Sequence, residues 1–274
     1  MCSAYFINMV SDFHNDILTA SGDLKELSQS VSCCVCALFR GGRSFQTLRK
    51  TARKFLNARP DNLFLGLEDI GYFEDGNAAE ICSWRPVYAS LTWNGENALA
   101  GGCESDGRLT EKGRGAVKAL SEHKICIDCA HLNRGSFADV LDCGVYGLLD
   151  SHTCLCGVCQ HPRNLEDWQV REIAARGGLV GICFVGRFLK EGGNAGVEDV
   201  FRHIDYGVQK FGVRAICLGS DFNGTDDLPQ GIRKYEDLYR LRDRMLHAHY
   251  KDADADAILK ENLKNFLNLC ANNG

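Results

Sequence analysis

Eight short runs of the chain are apolar at nearly every position: residues 10–14, 31–38, 63–68, 87–92, 125–130, 145–150, 179–184 and 216–220. A strand half exposed to water alternates apolar with polar residues. Continuous runs rich in Val, Ile, Leu and Cys predict strands buried on both faces, as in a parallel sheet. Between them lie stretches with apolar positions three and four apart. Residues 44–58 place Phe45, Leu48, Ala52, Phe55 and Leu56 on one helical face, with Arg and Lys on the other. Residues 115–123, 134–142, 164–175 and 197–210 behave similarly, with Asn164 placed to cap the helix it opens and Asp167 in its first turn. Residues 235–250 and 254–270 supply closing helices, and residues 69–85, the least patterned, read as loop plus a short helix. Eight strands alternating with helices is the count of a closed (β/α)8 TIM barrel, with a doubly wound open sheet as the second choice. No tandem repeat or linker interrupts the pattern, so residues 1–274 read as a single domain.

Composition narrows the class. The 274 residues fit one such barrel, and 45% hydrophobic with 24% charged residues exclude disordered, collagen-like and coiled-coil chains. Thirty-one Lys and Arg against 36 Asp and Glu leave a net charge of −5, so no basic surplus exists for nucleic acid or an anionic membrane. The 15 cysteines are many and odd in number. Residues 1–10 lack the basic start of a signal peptide, and no apolar run reaches the roughly 18 residues that span a bilayer. Reduced thiols in a cytoplasmic protein are the expectation, several of them acting as small core residues.

The ionisable residues fall at informative places. His14 and Asp16 close the first run, Glu68 the third, His131 the fifth, His152 the sixth and Asp221 the eighth. In a β/α barrel those strand ends open onto one rim, where active sites lie. His14 and Asp16, two apart, can point the same way from a strand. Three imidazoles and three carboxylates exceed the needs of one tetrahedral zinc. They suit two cations about 3.5–4 Å apart sharing a hydroxide, with a Glu able to bridge. A single His or Asp at a strand end is commonly a turn or cap residue, but six on one rim argue for a common site. His123, His203, His247 and His249 read as surface or packing residues. Cys126 and Cys129 sit three apart on a strand and face opposite sides. Cys154, Cys156 and Cys159 lack a fourth ligand, so both sets read as free thiols. The pairs Gly101-Gly102 and Gly192-Gly193 read as turns.

Several segments resemble landmarks of the membrane (renal) dipeptidase family, in order and over nearly the whole chain. They are Asp12-Phe13-His14-Asn15-Asp16, Gly66-Leu67-Glu68, Leu91-Thr92-Trp93-Asn94, Asp128-Cys129-Ala130-His131 and Ser151-His152-Thr153. His161-Pro162-Arg163-Asn164, Gly219-Ser220-Asp221-Phe222-Asn223-Gly224 and the stretch 258–266 with Glu261-Asn262 complete the set. The resemblance implies a metal-dependent hydrolase barrel of the amidohydrolase type with two Zn2+ ions. His14 and Asp16 would hold the first ion, Glu68 would bridge, and His131 and His152 would hold the second. Asp221 would move protons, and Arg163 would grip the carboxylate of a dipeptide substrate. It also implies a homodimer and, since the chain is short for the family and shows no lipid-anchor tail, a bacterial-type cytoplasmic form.

One departure stands out. Many family members carry His where this chain has Trp93, and Trp offers one N–H donor and no acid–base capacity. Trp93 and Asn94 are therefore expected at the substrate, as replacement donors or pocket wall. The expected reaction is peptide-bond hydrolysis of a dipeptide by a metal-bridging hydroxide, with a D-residue allowed at the C-terminal position. Alternatives are a barrel of the same type acting on a non-peptide amide, lactam or ester, and a catalytically impaired metal-binding protein. Asp12, Asp128 and Asp150 are candidates to orient ligands from behind.

Overall fold

Each apolar run forms a strand in the computed structural model, which describes residues 10–273; the reading of residues 1–9 lies outside the described residues. The strands are β1 (Ser11–Asn15), β2 (Cys33–Phe39), β3 (Leu63–Glu68), β4 (Tyr88–Ser90), β5 (Cys126–Asp128), β6 (Leu148–Thr153), β7 (Val180–Ile182) and β8 (Ile216–Leu218). All pair in parallel with their sequence neighbours in the order 1 to 8. Closure comes just past the last strand, where Asn15 bridges Phe222, Asp16 N donates to Phe222 O at 2.9 Å and Asp221 N donates to His14 O at 3.1 Å. That closure makes a TIM barrel and removes the open sheet.

Twelve helices surround it among the described residues: α1 (Ile17–Ala20), α2 (Leu24–Ser30), α3 (Phe45–Ala58), α4 (Asp75–Ser83), α5 (Glu111–Glu122) and α6 (Arg134–Leu141) come first. α7 (Asp167–Ala175), α8 (Gly186–Leu189), α9 (Val197–Phe211), α10 (Tyr239–His247), α11 (Asp252–Asp256) and α12 (Asn262–Asn273) follow. No helix among the described residues is long and apolar enough to cross a membrane. α3 matches its pattern, with Leu48, Ala52 and Phe55 buried and Ser44 capping Thr47 N.

The deviations have local causes. α5 begins at Glu111, capped by Thr110 Oγ1 on Gly113 N at 3.0 Å. Gly113 and Gly115 offer no apolar side chain, so the periodicity becomes visible only later. Asn164 does not cap α7. That helix starts beyond Glu166, whose N–H donates to Gln169 Oε1 at 2.9 Å. Asn164 is buried instead and donates to Cys159 O and Phe188 O, both at 2.8 Å. The stretch 235–250 divides into a 3₁₀ turn, Tyr235–Leu238, and α10; the stretch 254–270 is carried by α11, a π turn at Ala257–Glu261 and α12.

Two apolar layers result. The larger lies between strands and helices. The smaller fills the barrel itself with Phe13, Val35, Tyr88, Cys126, Leu149, Leu179 and Cys217, closed off by Leu263 and Leu267 of α12. Cys126 belongs to this inner layer and Cys129 to the outer one, the opposite facing expected of them. Gly66 on β3 lets the Tyr88 ring cross it, since a Cβ there would stand 2.5 Å from Tyr88 Cζ. The Tyr88 hydroxyl thereby reaches the level of His14.

His203, on α9, is fully buried and ties the loop after β6 to the end of α8. Its Nδ1 accepts from Leu155 N and its Nε2 donates to Leu189 O, each at 3.0 Å. Burial brings its pKa down to about 4. The folded state therefore binds fewer protons than the unfolded one between about pH 6.5 and 4, so this stability is full above pH 6.5 and declines as pH falls through the window. At about 1.4 kcal/mol per pH unit the decline totals about 3 kcal/mol. His203→Gln should lower Tm at pH 7 yet show a shallower fall in Tm between pH 6.5 and 4; parallel curves for the two proteins refute this role.

Candidate metal centre

The rim residues converge. β1 ends in a register irregularity between Asp12 and Asn15, and consecutive Phe13 and His14 both meet Tyr88. Asp16 stands one residue past the strand, at the start of α1, so the bulge and turn, more than simple strand alternation, bring it to His14. His14 Nε2 lies 3.3 Å from Asp16 Oδ2 and 3.5 Å from Glu68 Oε2. The other Glu68 oxygen, Oε1, lies 3.0 Å from His131 Nε2 and 3.9 Å from His152 Nε2. Glu68 thus divides its two oxygens between two sets of imidazoles. Ligand atoms of His14, Glu68 and His152 lie within 4.8 Å of one another, as do those of His14, Asp16 and Asp221.

His131 and Asp221 each sit three residues beyond their strands in left-handed backbone, φ +69° and +60°. Neither is glycine, and such strain collects where a side chain must be aimed at a site. Closure bonds hold the second turn, and Cys103 N donates to His131 O at 2.7 Å in the first.

Each imidazole is oriented from behind. His14 Nδ1 is 3.0 Å from Tyr88 Oη and 3.2 Å from Ser151 Oγ. His152 Nδ1 is 2.9 Å from the same Ser151 Oγ, and His131 Nδ1 is 2.7 Å from Asn94 Oδ1. Asn94 Oδ1 can only accept, so His131 carries its proton on Nδ1 and turns the Nε2 lone pair inward. Asp128 accepts from Ser151 Oγ at 2.6 Å, and Asp12 accepts from Ser220 Oγ at 2.6 Å and Tyr235 Oη at 2.5 Å. Asp150 accepts from His152 N at 3.3 Å.

The charge balance favours cations. Burial pushes His14 down, but hydrogen bonds to Asp16 and Glu68 outweigh it and hold its pKa well above the ordinary value. Burial pushes Glu68 up, yet His131 and His14 hold it well below the carboxylate range. Burial, then the Arg163 charge, brings His131 down to about 4. His152 is held well below its usual value by burial, then by His14. Asp221 still reaches solvent in part, but desolvation raises it well above the carboxylate range. The residues fit divalent cations: three inward-facing nitrogens, carboxylate oxygens on both sides, and a buried Asp16 Oδ1 with no hydrogen-bond partner. A Cβ on Gly224 would stand 2.3 Å from both Asp16 Oδ2 and Asp221 Oδ1. Only glycine leaves that pocket open.

Arg163 is buried; it donates to His152 O at 2.5 Å, and its Nε has no partner. Trp93 is 46% exposed at the mouth, its ring 6.0 Å from His131 and 5.5 Å from Phe39. Asn94, expected at the substrate, gives its side chain to His131 and to Glu104, the latter at 3.0 Å. Cys154 Sγ lies against Cys183 Sγ at 3.7 Å, while Cys156 Sγ turns to Asn164 O at 3.2 Å, so these thiols do not share a centre. Tyr88, Tyr235, Ser151 and Gly224 were not singled out from the sequence. Ser151 and Gly224 stood inside motifs already noted, next to His152 and just past Asp221.

Because His14 must lose a proton before its Nε2 can ligate, metal uptake near pH 7 should release protons. Apparent affinity should rise about tenfold per pH unit for each proton released. Titration calorimetry with Zn2+ in buffers of different ionisation enthalpy measures that release, and a heat independent of buffer contradicts it. Gly224→Ala should leave the fold intact by circular dichroism while lowering metal affinity at least tenfold.

A model of "Membrane dipeptidase (Peptidase family M19)" matches residues 85–270. An uncharacterised protein encoded 5′ of pqqA in Klebsiella pneumoniae is 32% identical over 158 residues, 56% of this chain and 58% of that protein. An uncharacterised dipeptidase of Schizosaccharomyces pombe is 32% identical over 170 residues, 58% of this chain and 41% of that protein. The chain thus aligns with less than two thirds of either relative. Among solved structures, the metallopeptidase dipeptidase AC of family M19 superposes with a TM-score of 0.85 at 22% identity, covering 96% of this chain and 98% of that one. A metallopeptidase of Rhodobacter sphaeroides, liganded with a phosphinate mimic of the dipeptide L-Ala-D-Ala, gives a TM-score of 0.83 at 20% identity over 96% and 99%. These two likenesses establish the fold, and the match of the family model over most of the sequence establishes that the chain belongs to the membrane dipeptidase family, peptidase family M19.

Proposed function

We propose that the chain is a two-zinc dipeptidase that hydrolyses the peptide bond of dipeptides, including those with a D-residue at the C-terminal position. The observation that carries this reading is Arg163. A buried guanidinium beside the cluster of candidate ligands, with one nitrogen unpartnered and no carboxylate within ion-pair distance among the described residues, is costly unless an anion completes it. The terminal carboxylate of a short peptide is such an anion, and Arg meets it in a bidentate fork. The phosphinate mimic of L-Ala-D-Ala held by the Rhodobacter relative supports the D-residue.

His14 and Asp16 would hold one zinc, His131 and His152 the other, with Glu68 between. When bound, the two ions supply a water acidic enough to act as nucleophile near neutrality and a Lewis acid for the carbonyl. Asp221, beside His14 and Asp16 and poised by desolvation to take up a proton, accepts one from the attacking water and returns it to the leaving amine. Asn94 fixes His131, and Trp93 forms the wall over it. Trp93 also sustains the second reading, a non-peptide amide, lactam or ester substrate, because the indole adds one donor and no acid.

Asp221→Asn should keep metal content near wild type while kcat falls about 10²–10⁴-fold; normal turnover in that variant removes the proton role. Arg163→Ala should raise KM for dipeptides far more than for the corresponding dipeptide amides, which lack the carboxylate. An equal loss on both substrates counts against the clamp. Two bound zinc ions with no release of amino acids from a panel of L,L- and L,D-dipeptides would favour the second reading.

A further inference from the structure

Behind the rings, Ser151 touches an imidazole from each half of the candidate metal centre. Its Oγ lies 2.6 Å from Asp128 Oδ2, 3.2 Å from His14 Nδ1 and 2.9 Å from His152 Nδ1. A hydroxyl has one proton to give and two lone pairs to receive. Asp128 can only accept, and its other oxygen is taken up by Ser151 N at 2.9 Å and Ala130 N at 3.0 Å. The Ser151 proton therefore goes to Asp128. Both lone pairs are left for the two imidazoles, each of which donates from Nδ1. Tyr88 Oη, which donates to Phe13 O at 3.2 Å, is likewise an acceptor for His14 Nδ1. One serine fully used in this way holds the Nδ1 proton of both histidines, with Tyr88 helping at His14, and leaves Nε2 as the ring atom free to meet an ion.

We propose that Ser151, set by Asp128, is a positioning residue that fixes the tautomers of His14 and His152 together and so couples the affinities of the two metal subsites. The inference rests on the two-metal reading above. Its distinctive consequence is that the two partners fail differently. In Ser151→Ala His152 loses its acceptor, while His14 loses one of two and keeps Tyr88 Oη. In Asp128→Asn the amide Oδ1 keeps the backbone donors and the NH2 faces Ser151 Oγ. That NH2 occupies one lone pair and turns the hydroxyl proton toward one histidine. That histidine must then present a bare Nδ1, so its Nε2 carries the proton and cannot ligate.

The test is zinc binding to metal-depleted protein in competition with a chromophoric chelator, with folding of each variant checked by circular dichroism. Wild type should take up two equivalents; fewer than two overturns the two-metal reading itself. With wild type at two, Ser151→Ala should weaken the equivalent at His152 about 10–100-fold and the one at His14, which keeps Tyr88 Oη, by a smaller factor, and Asp128→Asn should weaken one about 10–100-fold while sparing the other. Two equivalents at wild-type affinity in Ser151→Ala, or a loss confined to one equivalent there, overturns the coupling. Long-range 1H–15N spectra of the zinc-loaded wild type give a readout that needs no variant. His14 and His152 should both be protonated at Nδ1, and an Nε2–H signal from either overturns the assignment even if a variant fails to fold.

Discussion

The barrel is closed by the backbone of the residues that build its site. His14 O receives Asp221 N, and Asp16 N reaches Phe222 O, so the seam between first and last strands is also the junction of His14, Asp16 and Asp221. Residues more than 200 positions apart are held at hydrogen-bond range by main-chain contacts that do not depend on what the side chains bind. A closed sheet leaves little slack at such a seam, because strand tilt and stagger are fixed together. The centre is therefore organised by the fold before any ion or substrate arrives.

Against that rigid frame stands an electrostatic conflict. Asp16, Glu68 and Asp221 are gathered among the imidazoles, and burying carboxylates together is unfavourable. His14, held protonated by Asp16 and Glu68, relieves part of it, while His131 and His152 are kept neutral by burial and by nearby positive charge. One imidazole thus does the neutralising and two stay open as bases. Divalent cations would resolve the remainder, with the serine and asparagine behind the rings placed to hold the Nδ1 protons away from them.

Much of this was legible in the chain. Continuous apolar runs gave every strand, because a strand covered on both faces has no polar side to hide. Strand ends located all six rim residues, because parallel strands share a direction. What escaped had physical reasons. Helix α5 was blurred by Gly113 and Gly115, which break an apolar stripe without breaking a helix. Asn164 has the chemistry of a cap and is spent bracing the loop after β6 against α8. Ser151, Tyr88 and Gly224 act through what they touch across the barrel, and no local spacing encodes a contact between β6 and β1 or the closeness of Gly224 to two carboxylates.

Trp93 occupies an unusual optical position. Of the three tryptophans, Trp84 is buried in the outer layer and Trp168 packs edge-on against Phe137. Trp93 alone stands half in water with its ring beside His131. Its emission carries an intrinsic record of what enters or leaves the mouth, so this tryptophan equips the protein with a built-in fluorophore at its own entrance.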